Sequence, residues 1–245
     1  MTNDYSSNFI AKEVSNIVQL DQCGATSLTY KIQKNGQTLF MKKLRPELSG
    51  DKRYRDLFYK EYNTGKTIHN PYIVKYIEIT DDSEGLCIIM EYANGHSLKD
   101  KIKNEPQYFR NKENIKKLLL QLCNALQALH KKNIVHLDIN PANIIISQIN
   151  GNIKLVDLGF CLSEYSDKSI GSTTKFGAPE VTANKMEDID ARADIYSIGR
   201  VLQYIEEKSG AKFPKYINKI ENNINKLELL NPLNALKRGY GIVKK

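Results

Sequence analysis

His136-Leu137-Asp138-Ile139-Asn140-Pro141-Ala142-Asn143, followed by Val156-Asp157-Leu158-Gly159, is the part of the chain from which the rest can be read. It sets a carboxylate and a carboxamide five residues apart, just before a β-branched run over 143–147. A second acid ends another such run over 153–156. Gln148-Ile149-Asn150-Gly151-Asn152 separates the runs and predicts a hairpin. A single Asp-x-x-x-x-Asn is most often a turn or a helix cap. Two acidic sites in register with one hairpin point further. A carboxylate able to accept a hydroxyl proton, beside Asn and Asp oxygens suited to Mg²⁺, is what phosphoryl transfer requires.

Upstream of this core, Ile115, Leu118, Leu119, Leu122, Leu126 and Leu129 recur with the spacing of one buried helical stripe. Before the Ala93-Asn94-Gly95 break the chain reads as strands around one helix. Segments 28–33 and 38–44 flank Asn35-Gly36, a pair suited to a tight hairpin turn. Residues 51–68 carry Leu57, Phe58, Glu61, Tyr62 and Gly65 at helical spacing, and Asn70-Pro71 is expected to stop that helix. Segments 74–80 and 86–91 form a further strand pair across an acidic turn at 81–85. The change from strands to helices near residue 93 predicts an α+β chain in two lobes, about 1–92 and 95–245, within one domain.

Composition narrows the classes. In 245 residues, 36 Lys and Arg stand against 28 Asp and Glu, for a net charge of +8. The basic residues are scattered along helices and the tail, as on solvated faces, which argues against a dedicated nucleic-acid patch. No apolar run approaches the roughly 18 residues of a membrane span, and the first residues lack a secretory h-region, so a cytoplasmic location is expected. Cys23, Cys87, Cys123 and Cys161 are widely spaced with no C-x-x-C, the pattern of reduced thiols.

At these residues the chain resembles the eukaryotic-type, and particularly the bacterial, serine/threonine protein kinase superfamily. His136 to Asn143 is similar to the catalytic loop H-R-D-L-K-P-E-N, and Asp157-Leu158-Gly159 to D-F-G. Ala178-Pro179-Glu180 resembles the end of the activation segment, and Asp194-Ile195-Tyr196-Ser197-Ile198-Gly199 the helix start D-x-W-S-x-G. The resemblance implies a bilobal fold with a small antiparallel sheet and one helix in the first lobe and a mainly helical second lobe. It implies ATP and Mg²⁺ as cofactors and a protein Ser/Thr acceptor as partner. By it, Asp138 is the catalytic base, Asn143 and Asp157 are the metal ligands, and Lys42 holds the nucleotide phosphates with Glu61 as its ion-pair partner. Leu20, Gly24, Leu28, Met90, Glu91, Tyr92 and Ile145 are the implied nucleotide contacts, with Val156 as a further wall and Met90 at the back of the pocket.

Several positions depart from the family pattern. The glycine-rich loop has Asp21, Cys23 and Thr26 where glycines are expected, with one glycine displaced to Gly24. Phe40 replaces a small alanine on the same strand face as Lys42. Asn140 stands where a lysine steadies the γ-phosphate, and its amide is expected to replace that contact in part. Leu137 stands where an arginine receives a phosphorylated activation loop, so that switch is not expected here. Thr173 matches the threonine of Ser/Thr-directed members and is expected to contact Asp138. Ser169, Ser172 and Thr174 are positional candidates for modification, and Arg238 is a candidate partner for Glu180. Cys23 and Cys161, near the implied nucleotide, are expected to be open to alkylation. Only 51 residues follow Asp194, which suggests a pared-down second lobe; the tail at about 228–245 departs from the family, and its residues 230–243 resemble a stretch of the exonuclease VII large subunit. Two other readings stand beside the kinase: a pseudokinase binding module, motivated by the altered loop, Phe40 and Asn140, and a small-molecule phosphotransferase. The Ala178-Pro179-Glu180 and Asp194 motifs weigh against the latter.

Overall fold

The computed structural model describes residues 14–20, 24–82, 85–161, 175–183 and 186–213. The chain divides into two compact units, with the boundary between Asn94 and Gly95.

The first unit is a five-stranded antiparallel sheet in the order β1-β2-β3-β5-β4, with one α-helix. Strands β2 (Ser27–Lys34) and β3 (Gln37–Leu44) are joined by Asn35 and Gly36, whose φ angles of 51° and 74° make the left-handed turn expected of that pair. β4 (Tyr76–Asp82) and β5 (Gly85–Glu91) pair antiparallel. The fourth strand therefore begins two residues later than its sequence suggests, and Val74 and Lys75 lie outside it. β1 (Val14–Gln19) carries no strand pattern in its sequence: Ile17 and Val18 are both exposed. It is a strand because it pairs with β2, across an irregularity between Ser15 and Val18 where Asn16 has a φ of 51°.

Helix α1 (Lys52–Gly65) is capped by the Asp51 carboxylate, which accepts from Arg53 N at 2.9 Å. It turns Phe58, Glu61 and Gly65 inward, while Leu57 is exposed. The helix ends at Gly65 rather than at Asn70-Pro71. Tight bonds from Thr67 N to Thr64 O and from Ile68 N to Gly65 O close it one turn early. Ile32, Leu39, Met41, Cys87 and Ile89 form the apolar cluster on one face of the sheet. Strand alternation sets Phe40 and Lys42 on the opposite face, directly across from Met90 and Ile88.

The second unit is mainly helical. It holds a three-stranded sheet, β6 (Gly95–Ser97), β7 (Ile144–Ser147) and β8 (Ile153–Leu155), packed on α2 (Leu98–Asn104) and α3 (Lys112–His130), followed by a short α4 (Pro179–Thr182) and α5 (Arg192–Ser209). The β6 strand is a correction to the reading of Gly95 as a break. A Cβ at Gly95 would lie 2.2 Å from the Ile146 carbonyl oxygen, so the glycine allows close pairing of two strands. Along α3, Ile115, Leu118, Leu122, Leu126 and Leu129 are buried as the stripe predicts, and Leu119 is half-buried. Gln121, in the same stripe, is buried because it is used: its Nε2 donates to Asn152 Oδ1 at 2.9 Å and its Oε1 accepts from Ile153 N at 2.9 Å. It holds the start of β8 against the helix. Among the described residues no helix is long and apolar enough to cross a membrane.

Candidate active site

In the first unit, β3 presents Lys42 and α1 presents Glu61. Lys42 Nζ reaches both carboxylate oxygens of Glu61, at 3.0 and 2.8 Å, with the glutamate side chain 3% exposed. A buried ion pair is retained only where geometry repays desolvation. Here the contact is two-point, and Tyr76 Oη adds a donation to Glu61 Oε1 at 3.0 Å. The Phe58 ring lies 5.8 Å from the ammonium. Lys43 faces away from Lys42 along the strand, across from Cys87.

The nucleotide contacts implied by resemblance fall in both units. Leu20 follows β1, and its N–H donates to Thr29 O at 2.8 Å. The Gly24 carbonyl accepts from Arg45 Nε and Nη2 at 3.3 and 3.2 Å. Leu28 is half-buried on β2 and Met90 is buried on β5. Glu91 is tied to Lys75 twice, through N–H to Lys75 O at 2.9 Å and through Oε2 accepting from Lys75 N at 3.1 Å. Lys31 covers the Tyr92 ring at 4.9 Å. In the second unit Ile145 is the half-buried residue between buried Ile144 and Ile146 on β7, and Val156 is also half-buried. Asp21 and Cys23 lie outside the described residues, as do Ser169, Ser172, Thr173, Thr174, Arg238 and the tail.

The loop that carries Asp138 is braced from beneath. Asp194, fully buried at the start of α5, accepts from His136 N and Leu137 N at 2.9 Å each, and its Oδ2 lies 2.7 Å from His130 Nε2. Leu137 is held at a φ of 67°, a conformation that is unfavourable for a non-glycine residue and persists only where the surroundings over-determine it. His130 is a part of this brace that sequence reading passed over. Its one signal was a polar residue closing an otherwise apolar stripe.

Asn143 Nδ2 donates to the Asp138 carboxylate at 2.7 Å and to the Asp138 carbonyl at 3.0 Å. Both donations use the amide nitrogen, which leaves the carboxamide oxygen on the other branch as a hard acceptor. Val156 N donates to Asn143 O at 2.9 Å, so the backbones leading to Asn143 and Asp157 are direct neighbours. Asp157 has a φ of 64°, and its Oδ1 accepts from Gly159 N at 3.1 Å. A carboxamide oxygen and one carboxylate are hard donors of the kind magnesium takes, since it uses few protein ligands and completes its shell with phosphate and water oxygens. It does not make an all-protein cage, and among the described residues no group of three or more His, Cys, Asp or Glu could hold a metal.

Two expectations are corrected here. The Asn140 amide is buried and turned into its own loop: Nδ2 donates to Asp138 O at 3.2 Å, and Oδ1 accepts from Ala142 N at 2.9 Å and Asn143 N at 3.3 Å. It shapes the loop as an Asx turn, with its amide engaged inside the loop rather than held out from it. Cys161 is 1% exposed, which closes it to alkylation.

Leu137 explains what stands in place of the family's arginine. Its side chain packs with Val135, Ala178, Val181 and Ala193, joining the aspartate loop to the Ala178-Pro179-Glu180 segment by apolar contact. Leu137→Arg is therefore expected to destabilise the protein by about 3–5 kcal/mol, as a charge buried without a partner. Urea denaturation reads this directly, and an unchanged midpoint would contradict the packing.

An α+β pair of units, one an antiparallel sheet with a helix and a buried lysine–glutamate pair, the other mainly helical with a braced aspartate held by Asn143, is the bilobal kinase-like fold. The protein kinase domain model matches residues 23–235, and the chain belongs to that family. It is 31% identical over 179 residues to the "Probable serine/threonine-protein kinase" of Corynebacterium efficiens, covering 68% of this chain and 26% of that protein. It is 30% identical over 205 residues to a MAP kinase kinase of Saccharomyces cerevisiae, covering 80% and 39%. With a serine/threonine-protein kinase of Xenopus laevis it shares 33% identity over 141 residues, 56% of this chain and 29% of the relative. The chain thus spans about a quarter to two fifths of these relatives' lengths.

Proposed function

We propose that this protein transfers the γ-phosphate of ATP to a serine or threonine hydroxyl of a protein acceptor. The observation that carries the reading is Asp138, a residue 7% exposed, whose carboxylate is held by Asn143 in a loop with its backbone fastened to buried Asp194. A carboxylate fixed in this way can accept the acceptor hydroxyl's proton as the oxygen attacks phosphorus. Lys42, kept in place by Glu61, supplies a fixed positive charge for the nucleotide phosphates. Asn143 and Asp157 would hold Mg²⁺, which when bound neutralises charge developing on the phosphate oxygens. Leu20, Gly24, Leu28, Met90, Glu91, Tyr92 and Ile145 are assigned to the nucleotide. Leu137, in apolar contact with the Ala178 segment, supports a loop arranged without a phosphate–arginine pair.

The test is incubation with γ-labelled ATP and Mg²⁺, with and without a basic protein acceptor, beside Asp157→Asn. Label in the wild type alone, on serine or threonine, is the expected result. Magnesium-dependent ATP binding with no transfer would favour the pseudokinase reading. That reading has its motive in the single glycine of the 21–26 stretch. Label passed to small alcohols or aminoglycosides and never to protein would point to the small-molecule phosphotransferase.

A further inference from the structure

We propose that Tyr76 is a positioning residue for the Lys42–Glu61 pair and that Gly65 is the notch in α1 that admits it. The role in catalysis rests on the kinase reading above.

Tyr76 opens β4 and is 4% exposed. Its hydroxyl donates to Glu61 Oε1 at 3.0 Å, and Lys42 binds that same oxygen at 3.0 Å and Oε2 at 2.8 Å. Glu61 is almost wholly buried, so its carboxylate depends on protein donors for the hydrogen bonds it loses with water. A rotation of Glu61 away from Lys42 forfeits the Tyr76 bond as well. The hydroxyl therefore holds the glutamate in the conformation that meets the lysine.

Gly65 lies one helical turn after Glu61, on the same face of α1. A Cβ there would lie 2.2 Å from Tyr76 Cδ2 and 2.5 Å from Cγ and Cε2, far inside contact distance. Glycine is a poor helix former, and Gly65 is not among the residues of positive φ, so backbone freedom does not account for it. The aromatic ring does. It occupies the volume a side chain at position 65 would fill, and this brings its hydroxyl up to Glu61. The same helix is tied to the same strand by Tyr59 Oη donating to Asp81 Oδ2 at 2.9 Å, by the Arg55–Asp81 ion pair and by Tyr62 Oη donating to Ile77 O at 3.4 Å. These contacts inside the first unit hold α1 on β4, and with it Glu61 of the ion pair.

Two variants separate the hydroxyl from the ring. Tyr76→Phe keeps the ring and is expected to raise the Kd and KM for Mg-ATP about 10-fold, the scale of a lost hydrogen bond to a charged group, with the KM for the protein acceptor unchanged. Values within about two-fold of wild type would overturn the positioning role. Gly65→Ala should lower the melting temperature, although helix propensity alone predicts a rise. In the Tyr76→Leu background, which removes the ring, Gly65→Ala should raise it. Equal effects in both backgrounds would overturn the notch. The melting cycle decides the Gly65–Tyr76 contact whether or not phosphate is transferred. Failure of the kinase reading, seen as a wild type that binds no Mg-ATP, is thus distinguishable from failure of this proposal.

Discussion

Asp138→Asn is expected to lower kcat by about 10²–10⁴-fold, the range general-base catalysis supplies. The substitution is nearly isosteric and its amide oxygen can still accept from Asn143 Nδ2, so the loop keeps its shape. What is lost is a group that takes a proton. The Kd for Mg-ATP should stay within about two-fold, because a base acts on the transition state and contributes little to ground-state binding. Single-turnover transfer and calorimetric titration on the same preparation separate the two effects. A kcat equal to wild type would remove Asp138 from the role assigned to it, and an equal loss of binding would recast it as a structural residue.

The second large effect is expected at Asp194. Its carboxylate is fully buried and meets the N–H groups of His136 and Leu137 and the His130 ring. Asp194→Ala strands two buried backbone donors, for a cost of about 3–5 kcal/mol. For a domain of this size each kcal/mol shifts the melting temperature by roughly 2–4 °C, so the variant should melt roughly 6–20 °C below wild type. Leu137, no longer held at positive φ, should relax and displace Asp138, and transfer should be lost even below the melting point. Asp194→Asn keeps one acceptor but turns an N–H₂ group toward donors, and should fall between the two. A melting temperature within about a degree of wild type for the alanine variant would show that the loop is held by other contacts.

How much of this was legible varies from residue to residue. The β2–β3 hairpin is written locally: Asn35-Gly36 selects the turn, and the turn sets the register that places Lys42 opposite Thr29. The inward face of α3 is written in its leucine spacing, and the motifs around Asp138, Asn143 and Asp157 are short and ordered enough to identify the family. β1 was not legible, because its apolar residues are exposed and only pairing with β2 makes it a strand. Gly95 reads as a chain break and serves as a close strand contact. Asn140 reads as a weakened phosphate ligand and serves as a loop brace. In each case a small or polar side chain has several local uses, and a partner distant in sequence selects one.

The sequence by itself determined the class of chain, the β2–β3 and β4–β5 strand pairs, the two longest stretches of helix before residue 131, and which acids and amides could carry chemistry, since these follow from periodicity and from residue types at fixed spacing. Tertiary structure alone decided that Tyr76 reaches Glu61, that Gln121 holds β8, that Asp194 fastens the Asp138 loop through His136 and Leu137, and that Leu137, at the position of the family's arginine, is buried. Those pairings join residues 15 to 58 positions apart. Local propensity extends only over a few neighbours, and a buried donor or acceptor takes whichever partner the packed fold brings within about 3 Å of it.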